Sequence, residues 1–211
     1  MRQLAATLLL ISGSVSTQAQ TFFTSTEVGG GIGCSQYFGD LNDRYGFKTI
    51  HPAATVYVRK HLTQYISMKV GGYYTNVSYS DKLNNDVYQR QRNLDFSSHI
   101  AELSVQAEFN FFKFVTGDPY HRITPYLTGG LGVFSYDPYT MLNGTKYMLR
   151  PLGTEGQFLG GYDNRKYSNI AACVPIGVGG KFWLKPGVNL TLEISDRLTF
   201  TDYLDDVSTT Y

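Results

Sequence analysis

The sequence has few charged residues, few cysteines and no long hydrophobic run. Asp, Glu, Lys and Arg make up 17% of its 211 residues, against about 25% in a typical soluble domain. Its formal net charge is +1, whereas a nucleic-acid partner would call for a basic patch or stripe. No apolar segment approaches the ~20 residues that a membrane-spanning helix needs. These absences exclude an integral helical membrane protein and argue against a nucleic-acid-binding protein.

Aromatic residues and glycine are abundant in place of charge. The chain has 17 Tyr, 13 Phe and 22 Gly. In transmembrane β-barrels, aromatic rings form girdles at the two membrane interfaces, and small residues suit a narrow interior. The composition is therefore typical of a membrane barrel.

The first 19 residues have the layout of a secretory signal peptide. Arg2 provides a positive start, residues 4–11 form a short apolar run, and Thr17 and Ala19 are small residues before a cleavage point. We therefore expect a signal peptide at 1–19 and a mature barrel domain at 20–211. That domain is expected to be integral to the outer membrane of a Gram-negative-type envelope.

Apolar and polar residues alternate with period two through most of the remaining chain, which indicates β-strands. In the clearest segment, residues 99–111, one face is apolar and the other carries Glu102 and Glu108. Several predicted strands exceed the ~5–6 residues usual in soluble sheets and match the ~9–11 of a tilted membrane strand. The predicted strands are 26–38, 53–60, 65–79, 99–111, 123–136, 168–184 and 188–197.

The connections between these strands alternate in length. Short or medium ones at 61–64, 113–122 and 185–187 alternate with longer ones at 39–52, 80–95 and 137–167. Up-and-down barrels have short periplasmic turns and long external loops. We therefore predict an all-β, up-and-down antiparallel transmembrane β-barrel of about eight strands.

The count of seven strands leaves one strand to be found. Single-chain bacterial barrels use even numbers of strands, and residues 201–211 are polar and unpatterned. We therefore expect the last strand to be missing from this sequence, so that the barrel domain is C-terminally incomplete. The alternative is a strand overlooked within 137–167.

The polar faces of the strands predict a charged interior. Eight charged residues, four acidic and four basic, fall on the lumen side. An eight-stranded wall leaves room only for side chains, and buried charges are tolerated when they are paired. We therefore predict a plug of ion pairs in preference to a selective pore. The residues are Glu27, Arg59, Lys69, Glu102, Glu108, Lys181, Glu193 and Arg197.

The two cysteines fall on opposite kinds of face. The register directs Cys34 toward lipid and Cys173 toward the lumen, and their strands are not neighbours. Two free thiols are therefore favoured over a disulfide, which an exported pair would otherwise suggest. An intermolecular bond is the third possibility.

The sequence motifs that could indicate a phosphate-binding, metal-binding or catalytic site are weak. The glycine-rich residues 29–33 lack the following helix and Lys-Ser/Thr of a phosphate loop. The four histidines, at 51, 61, 99 and 121, lack metal-site spacing. His99 follows Ser97 and Ser98, but adjacency along the chain is not triad geometry. Glu102 and Glu108 lie roughly 20 Å apart along a strand, too far for an acid–base pair.

A last acidic cluster also lacks a known ligand spacing. Asp202, Asp205 and Asp206 do not follow the pattern of a calcium loop, so a solvated loop is favoured. We expect no catalytic residues, no metal, no cofactor and no small-molecule substrate.

Four stretches of the chain resemble the PorG family. They are EVGGG at 27–31, YFGDL at 37–41, GTEGQ at 153–157 and RLTFTDYLDDVS at 197–208. PorG-type proteins are small outer-membrane barrels of the type IX secretion machinery. In that family the chain continues into a final strand after the last motif, in agreement with the strand count.

The resemblance implies a non-enzymatic role. Such a barrel would tie a periplasmic ring, built from a lipoprotein and its partner subunit, to the outer membrane. In this chain the surfaces facing such a ring would be the short turns. There Phe114, Tyr120 and Arg122 offer an aromatic and basic anchor of the kind that interfaces favour.

Three other interpretations remain. A general surface barrel would bind ligands or host surfaces through residues 137–167. A lipid-modifying enzyme would use Ser and His near the outer leaflet. A soluble lipocalin-like carrier would need its apolar face inward, and 17% charge is thin cover for a soluble exterior.

Overall fold

The computed structural model describes residues 5–17, 26–38, 49–83, 90–91, 94–142, 144–152 and 168–201, with the backbone alone for 5–17. Helical structure in these ranges includes a 3-10 turn at Asp81–Leu83 and one α-helical turn at Leu149–Leu152. No helix among the described residues is long and apolar enough to cross a membrane. The β-strands are β1 Ala5–Thr17, β2 Thr26–Phe38, β3 His51–His61, β4 Ile66–Ser80, β5 Asp95–Asn110, β6 Ile123–Leu142, β7 Thr145–Met148, β8 Ile170–Lys185 and β9 Val188–Thr199.

Eight of these strands form a closed ring. Every pairing is antiparallel, and the sheet order is β5-β4-β3-β2-β1-β9-β8-β6, with β5 also paired to β6. The short strand β7 pairs only with the end of β6, opposite Tyr139 to Leu142. The fold is an up-and-down antiparallel β-barrel, which confirms the predicted architecture.

All seven predicted strands are present. Most extend beyond a predicted bound, by up to six residues, because hydrogen-bonded ladders continue past the apolar alternation, whereas β8 begins at Ile170 and β5 ends at Asn110, inside their predicted bounds. The largest extension is that of β6, whose last residues pair with β7. Strand β7 lies within 137–167, where an overlooked strand is the alternative prediction, but it is outside the ring and does not supply the eighth strand.

The eighth strand of the ring lies in the segment predicted to be a signal peptide. Strand β1 pairs along its length with β2 and β9, with Ile11 opposite both Ile32 and Leu192. This is the position, and the direction, that a strand following β9 would take. The count of seven strands is therefore corrected to eight in the ring. Cleavage of residues 1–19 and a further strand beyond residue 211 stay predictions.

The barrel is apolar outside and polar inside. Along β5, exposed and buried side chains alternate without interruption from His99 to Asn110. Large apolar side chains on the outer faces are about half exposed or more, among them Ile32, Val56, Leu103 and Leu131. The charged residues on the inner faces of these strands are buried, whereas Lys60 and Asp95 are exposed near strand ends. This inversion of a soluble protein's pattern is the arrangement of a transmembrane β-barrel.

Glycines on the inner wall make space for tyrosine rings in the lumen. A Cβ atom on Gly179 would lie 2.6 Å from the Tyr126 ring and 2.5 Å from the Leu192 carbonyl oxygen. The buried Tyr126 ring therefore occupies space that a side chain at position 179 would take. This agrees with a wall crowded from within.

Candidate functional site

The structure places all eight predicted lumen charges inside the barrel. Each has at most 7% of its surface exposed. Four carboxylates face four cationic side chains, so the formal charges of these eight residues balance. The residues are Glu27, Arg59, Lys69, Glu102, Glu108, Lys181, Glu193 and Arg197.

Six of these charges form one network in the half of the lumen near the short turns. Glu108 is its centre, with carboxylate oxygens 2.8 Å from Arg59 Nε, 2.6 Å from Lys181 Nζ and 3.5 Å from Lys69 Nζ. Arg59 also bonds Glu27 at 2.9 Å, and Lys69 bonds Glu193 at 2.7 Å. Each of the six residues comes from a different strand, so the network joins most of the wall from within.

Tyr126 and Asn110 complete this network. The Tyr126 hydroxyl donates to Glu193 at 2.5 Å, and Lys181 Nζ donates to Asn110 Oδ1 at 2.9 Å. Lys181 also lies over the Tyr126 ring, 4.7 Å from its centroid. Paired and hydrogen-bonded charges of this kind are the form in which buried charge is tolerated.

The other two charges form a separate pair nearer the long loops. Arg197 Nε donates to Glu102 at 2.9 Å, and its guanidinium lies 4.8 Å from the centre of the Tyr73 ring. Ser195 accepts a third contact from Arg197 at 2.6 Å. Glu102 and Glu108 thus have different partners, and the arrangement gives each a structural role.

Beyond this pair the lumen becomes aromatic. The rings of Tyr37 and Phe96 meet edge to face with centroids 4.9 Å apart. Cys173 lies in this cluster, whereas Cys34 is exposed on the outer face, and both thiols are free. The cluster consists of Tyr37, Val77, Tyr79, Phe96, Ile100, Phe134, Tyr136 and Cys173.

His61 is a lumen residue that the sequence analysis missed. Its Nδ1 is 2.8 Å from Ser67 Oγ, and its Nε2 is 2.8 Å from Glu27 Oε1. The missed signal was parity, because position 61 follows the inward-facing Arg59 by two residues on the same strand. The turn predicted at 61–64 therefore begins one residue later, and His61 is the last residue of β3.

The Ser67–His61–Glu27 chain has the residue types of a hydrolase triad but not its accessibility. Ser67 and Glu27 are completely buried, and Glu27 is also bonded to Arg59. The Ser67 oxygen is therefore enclosed by the described residues of the barrel. The three residues satisfy one another's hydrogen bonds at the short-turn end of the lumen.

The structure also shows where the other weak motifs of the sequence lie. Residues 29–33 lie within β2. Ser98 is buried while His99 is exposed and stacks on Tyr139 with centroids 5.4 Å apart. Ser98 and His99 therefore lie on opposite faces of β5, whereas Ser97 is on the outer face with His99. Within the described ranges no group of three His, Cys, Asp or Glu could hold a metal ion.

Several motif residues lie outside the described part of the chain. These are Asp202, Asp205 and Asp206, the motif at 153–157, and parts of those at 37–41 and 197–208.

The turn between β5 and β6 folds across the mouth of the barrel. Phe114 is only 5% exposed, and its ring lies 6.3 Å from that of His61. Thr116 donates to Glu27 on β2 at 3.4 Å and accepts from Asn189 on β9 at 3.3 Å. Strand β2 lies opposite β6 in the ring, and β9 is separated from β6 by β8, so the turn extends over the opening.

This fold corrects the predicted surface anchor. Phe114 closes the lumen and is not offered at the surface. Tyr120 is 91% exposed, and Arg122 is exposed with its guanidinium 4.9 Å from the centre of the Trp183 ring. The turn therefore presents Tyr120 and Arg122 outward while Phe114 points inward.

The loop conformation at Tyr120 is fixed by Asp118. The Asp118 carboxylate accepts from the Tyr120 backbone N–H at 2.9 Å and lies 2.6 Å from His121 Nδ1. The backbone hydrogen bond from Tyr120, followed by the bond to His121, lowers the pKa of Asp118 below its ordinary value of 3.8.

Two solved structures of Ail, the attachment invasion locus protein of Yersinia pestis, are similar to this chain in fold. The structure of Ail in complex with the heparin analogue sucrose octasulfate has a TM-score of 0.35 and 8% identity; that of Ail alone has 0.35 and 9%. Each likeness covers 94% of this chain and 99% of the Ail chain. At such identity neither bears on function.

A comparison with curated proteins gives no match. One family model, described as a domain of unknown function, matches residues 2–210. The chain therefore belongs to the DUF6089 family.

Proposed function

We propose that this protein is a non-enzymatic subunit of the type IX secretion machinery that anchors a periplasmic ring complex to the outer membrane. The ring would be built from a lipoprotein and its partner subunit, as the resemblance to PorG-type barrels implies. The mature barrel would reach the outer membrane after cleavage of the predicted signal peptide.

One observation carries this proposal: the interior of the barrel is occupied by its own side chains. A balanced ion-pair network fills one half, an aromatic cluster fills the other, and the β5–β6 turn covers the short-turn mouth. Such a lumen suits a rigid membrane anchor better than a conduit for substrates. The surfaces that remain for binding a partner protein are then the two ends of the barrel.

The short-turn end supports an anchor on the periplasmic side. Tyr120 and Arg122 are exposed there, and tyrosine and arginine are enriched among the residues that dominate binding energy at interfaces. The turn that carries them is braced by Thr116 against β2 and β9. A braced turn loses less conformational entropy when a partner binds.

The test is a crosslinked pull-down of the tagged, full-length protein from isolated outer membranes, read by mass spectrometry. We expect recovery of a periplasmic lipoprotein together with a second ring subunit, and loss of type IX cargo export when the gene is deleted. Recovery of the barrel alone, with export intact, would overturn the proposal.

A second candidate is a surface barrel that binds ligands through its external end. The β6–β7 hairpin favours it, because Met141, Leu142 and Tyr147 are 54%, 60% and 41% exposed at its tip. Replacing these three residues with serine separates the two functions. An adhesin would lose surface binding, whereas an anchor would retain its periplasmic partners.

A further inference from the structure

Three exposed cationic residues lie together at the short-turn end of the barrel. Lys113 follows β5, Arg122 precedes β6 and Lys185 ends β8, and these three strands are neighbours in the ring. The backbone N–H of Trp183 donates to the Arg122 carbonyl at 2.8 Å, which fixes the β6 and β8 ends side by side. We call Lys113, Arg122 and Lys185 the basic rim.

The basic rim has no compensating acid nearby. Within the described residues of the turns at 62–65, 111–122 and 186–187, the acidic residue is Asp118, which is already bonded to His121 and the Tyr120 backbone. The connection at 18–25 has no charged residue in its sequence. Uncompensated charges of one sign attract a surface of the opposite sign.

The basic rim borders a surface that faces water below the barrel mouth. Because Thr116 reaches Glu27 on β2 and Asn189 on β9, the β5–β6 turn lies under the opening, with Phe114 on its inner side. Tyr120, at 91% exposure, is on its outer side. Lipid headgroups surround the wall of a barrel and do not lie beneath its mouth, which favours a protein partner over a lipid.

We propose that the basic rim, with Tyr120 beside it, is the docking surface for a protein that presents Asp and Glu side chains. This inference rests on the proposed anchoring function and names the chemistry of the partner's surface. Complementary charges at the edge of the site speed encounter and fix orientation. The exposed Tyr120 ring supplies a buried contact at its centre once the partner is bound.

The experiment places a photo-crosslinking phenylalanine analogue at position 120 in the full-length protein in its native membrane. The test variant reverses all three rim charges: Lys113→Glu, Arg122→Glu and Lys185→Glu. The matched control is Lys60→Glu, which reverses another exposed cation at the same end, on β3. A charge-keeping triple variant, Lys113→Arg, Arg122→Lys and Lys185→Arg, separates charge from shape.

We expect one periplasmic protein to crosslink to the parent protein through a peptide rich in Asp and Glu. Triple reversal should lower adduct yield by about tenfold, since like charges then face each other across the interface. Lys60→Glu and the charge-keeping triple should stay within about twofold of the parent, and added salt should weaken the adduct by screening. Folding of every variant is checked by its resistance to unfolding in detergent.

The outcomes that contradict these expectations distinguish a failure of the proposed anchoring function from a failure of the proposed acidic partner surface. If the parent gives no protein adduct, both the anchoring function and this inference fall. If the adduct survives triple reversal, or its peptide lacks acidic residues, the anchor stands and the acidic partner surface is wrong. If position 120 crosslinks to phospholipid instead, the rim faces the membrane and the inference is overturned.

Discussion

The two halves of the lumen are filled by different chemistry. Near the short turns, six charges from six strands form a network around Glu108. Near the long loops, Tyr37, Phe96, Phe134 and their neighbours form an aromatic cluster. Both halves bury their side chains equally well, so burial alone does not distinguish them.

The lumen of a narrow barrel can therefore be filled by side chains in two ways. The charged half gains directional bonds that specify which strands meet, because each cation must reach a carboxylate on another strand. The aromatic half gains dispersion and area burial, which tolerate small shifts in register. We therefore expect the charged half to be more sensitive to the loss of a single group.

The largest expected effect comes from Glu108→Gln. This change keeps the shape of the side chain but leaves Arg59, Lys69 and Lys181 without their shared carboxylate. Removing one partner of a buried ion pair costs about 3–5 kcal/mol, and we expect the free energy of unfolding to fall by that amount. The measurement is urea unfolding in lipid vesicles, followed by the emission of the chain's one tryptophan, Trp183.

Glu102→Gln is the matched control for Glu108→Gln. It leaves a single cation, Arg197, without its carboxylate, so its effect should be smaller. Equal effects of the two variants would contradict the central position of Glu108.

Phe96→Ala tests the aromatic half. It removes a ring that is 2% exposed and packs edge to face on Tyr37. Truncation of a buried phenylalanine costs about 3 kcal/mol or somewhat more, so we expect a loss comparable to or below that of Glu108→Gln. Phe109→Ala, on the outer face of the same strand and 49% exposed, is the control and should cost less in the same unfolding assay.

The double variant Glu108→Gln with Phe96→Ala sharpens the comparison. The two residues share no partner, so their effects on the free energy of unfolding should add to within about 0.5 kcal/mol. A larger coupling would mean that the two halves of the lumen are one cooperative unit.

The charged interior could be predicted because strand geometry fixes side-chain direction. Once β5 is recognised as a strand, every second residue faces the lumen, so Glu102 and Glu108 must both point inward. The same rule places Arg59, Lys181 and Arg197 inside. What alternation cannot provide is the pairing of these charges, which depends on strand stagger around the ring.

The turns and short pairings could not be predicted for a related reason. Phe114 is held at the lumen by a turn in which Thr116 bonds Asn189 on β9, a contact 73 positions away in sequence. Strand β7 exists through its pairing with β6, without an apolar pattern of its own. The Thr116 contact is long-range, so a window of neighbouring residues does not contain it. The β6–β7 hairpin is local, from Leu142 opposite Thr145 to Tyr139 opposite Met148, but its sequence has no alternation that would indicate a strand.

The smallest expected effect concerns the turn that covers the charged half. The Asp118 carboxylate holds the Tyr120 backbone N–H at 2.9 Å, and its pKa is lowered below 3.8 in the folded protein. A carboxylate with a lowered pKa stabilises the folded turn fully above the unfolded value, and this stabilisation is lost as pH falls through the folded value. We expect hydrogen exchange at the Tyr120 amide to be unchanged from pH 7 to about 5 after correction for intrinsic rates, and faster well below pH 4.

Asp118→Asn, which removes the titrating group, should abolish this acid-dependent step, while the aromatic half of the lumen keeps its protection throughout. If the acid-dependent step in hydrogen exchange persists in Asp118→Asn, the titrating group lies in the buried network and not in the turn. The charged half of the lumen then opens before the turn that covers it.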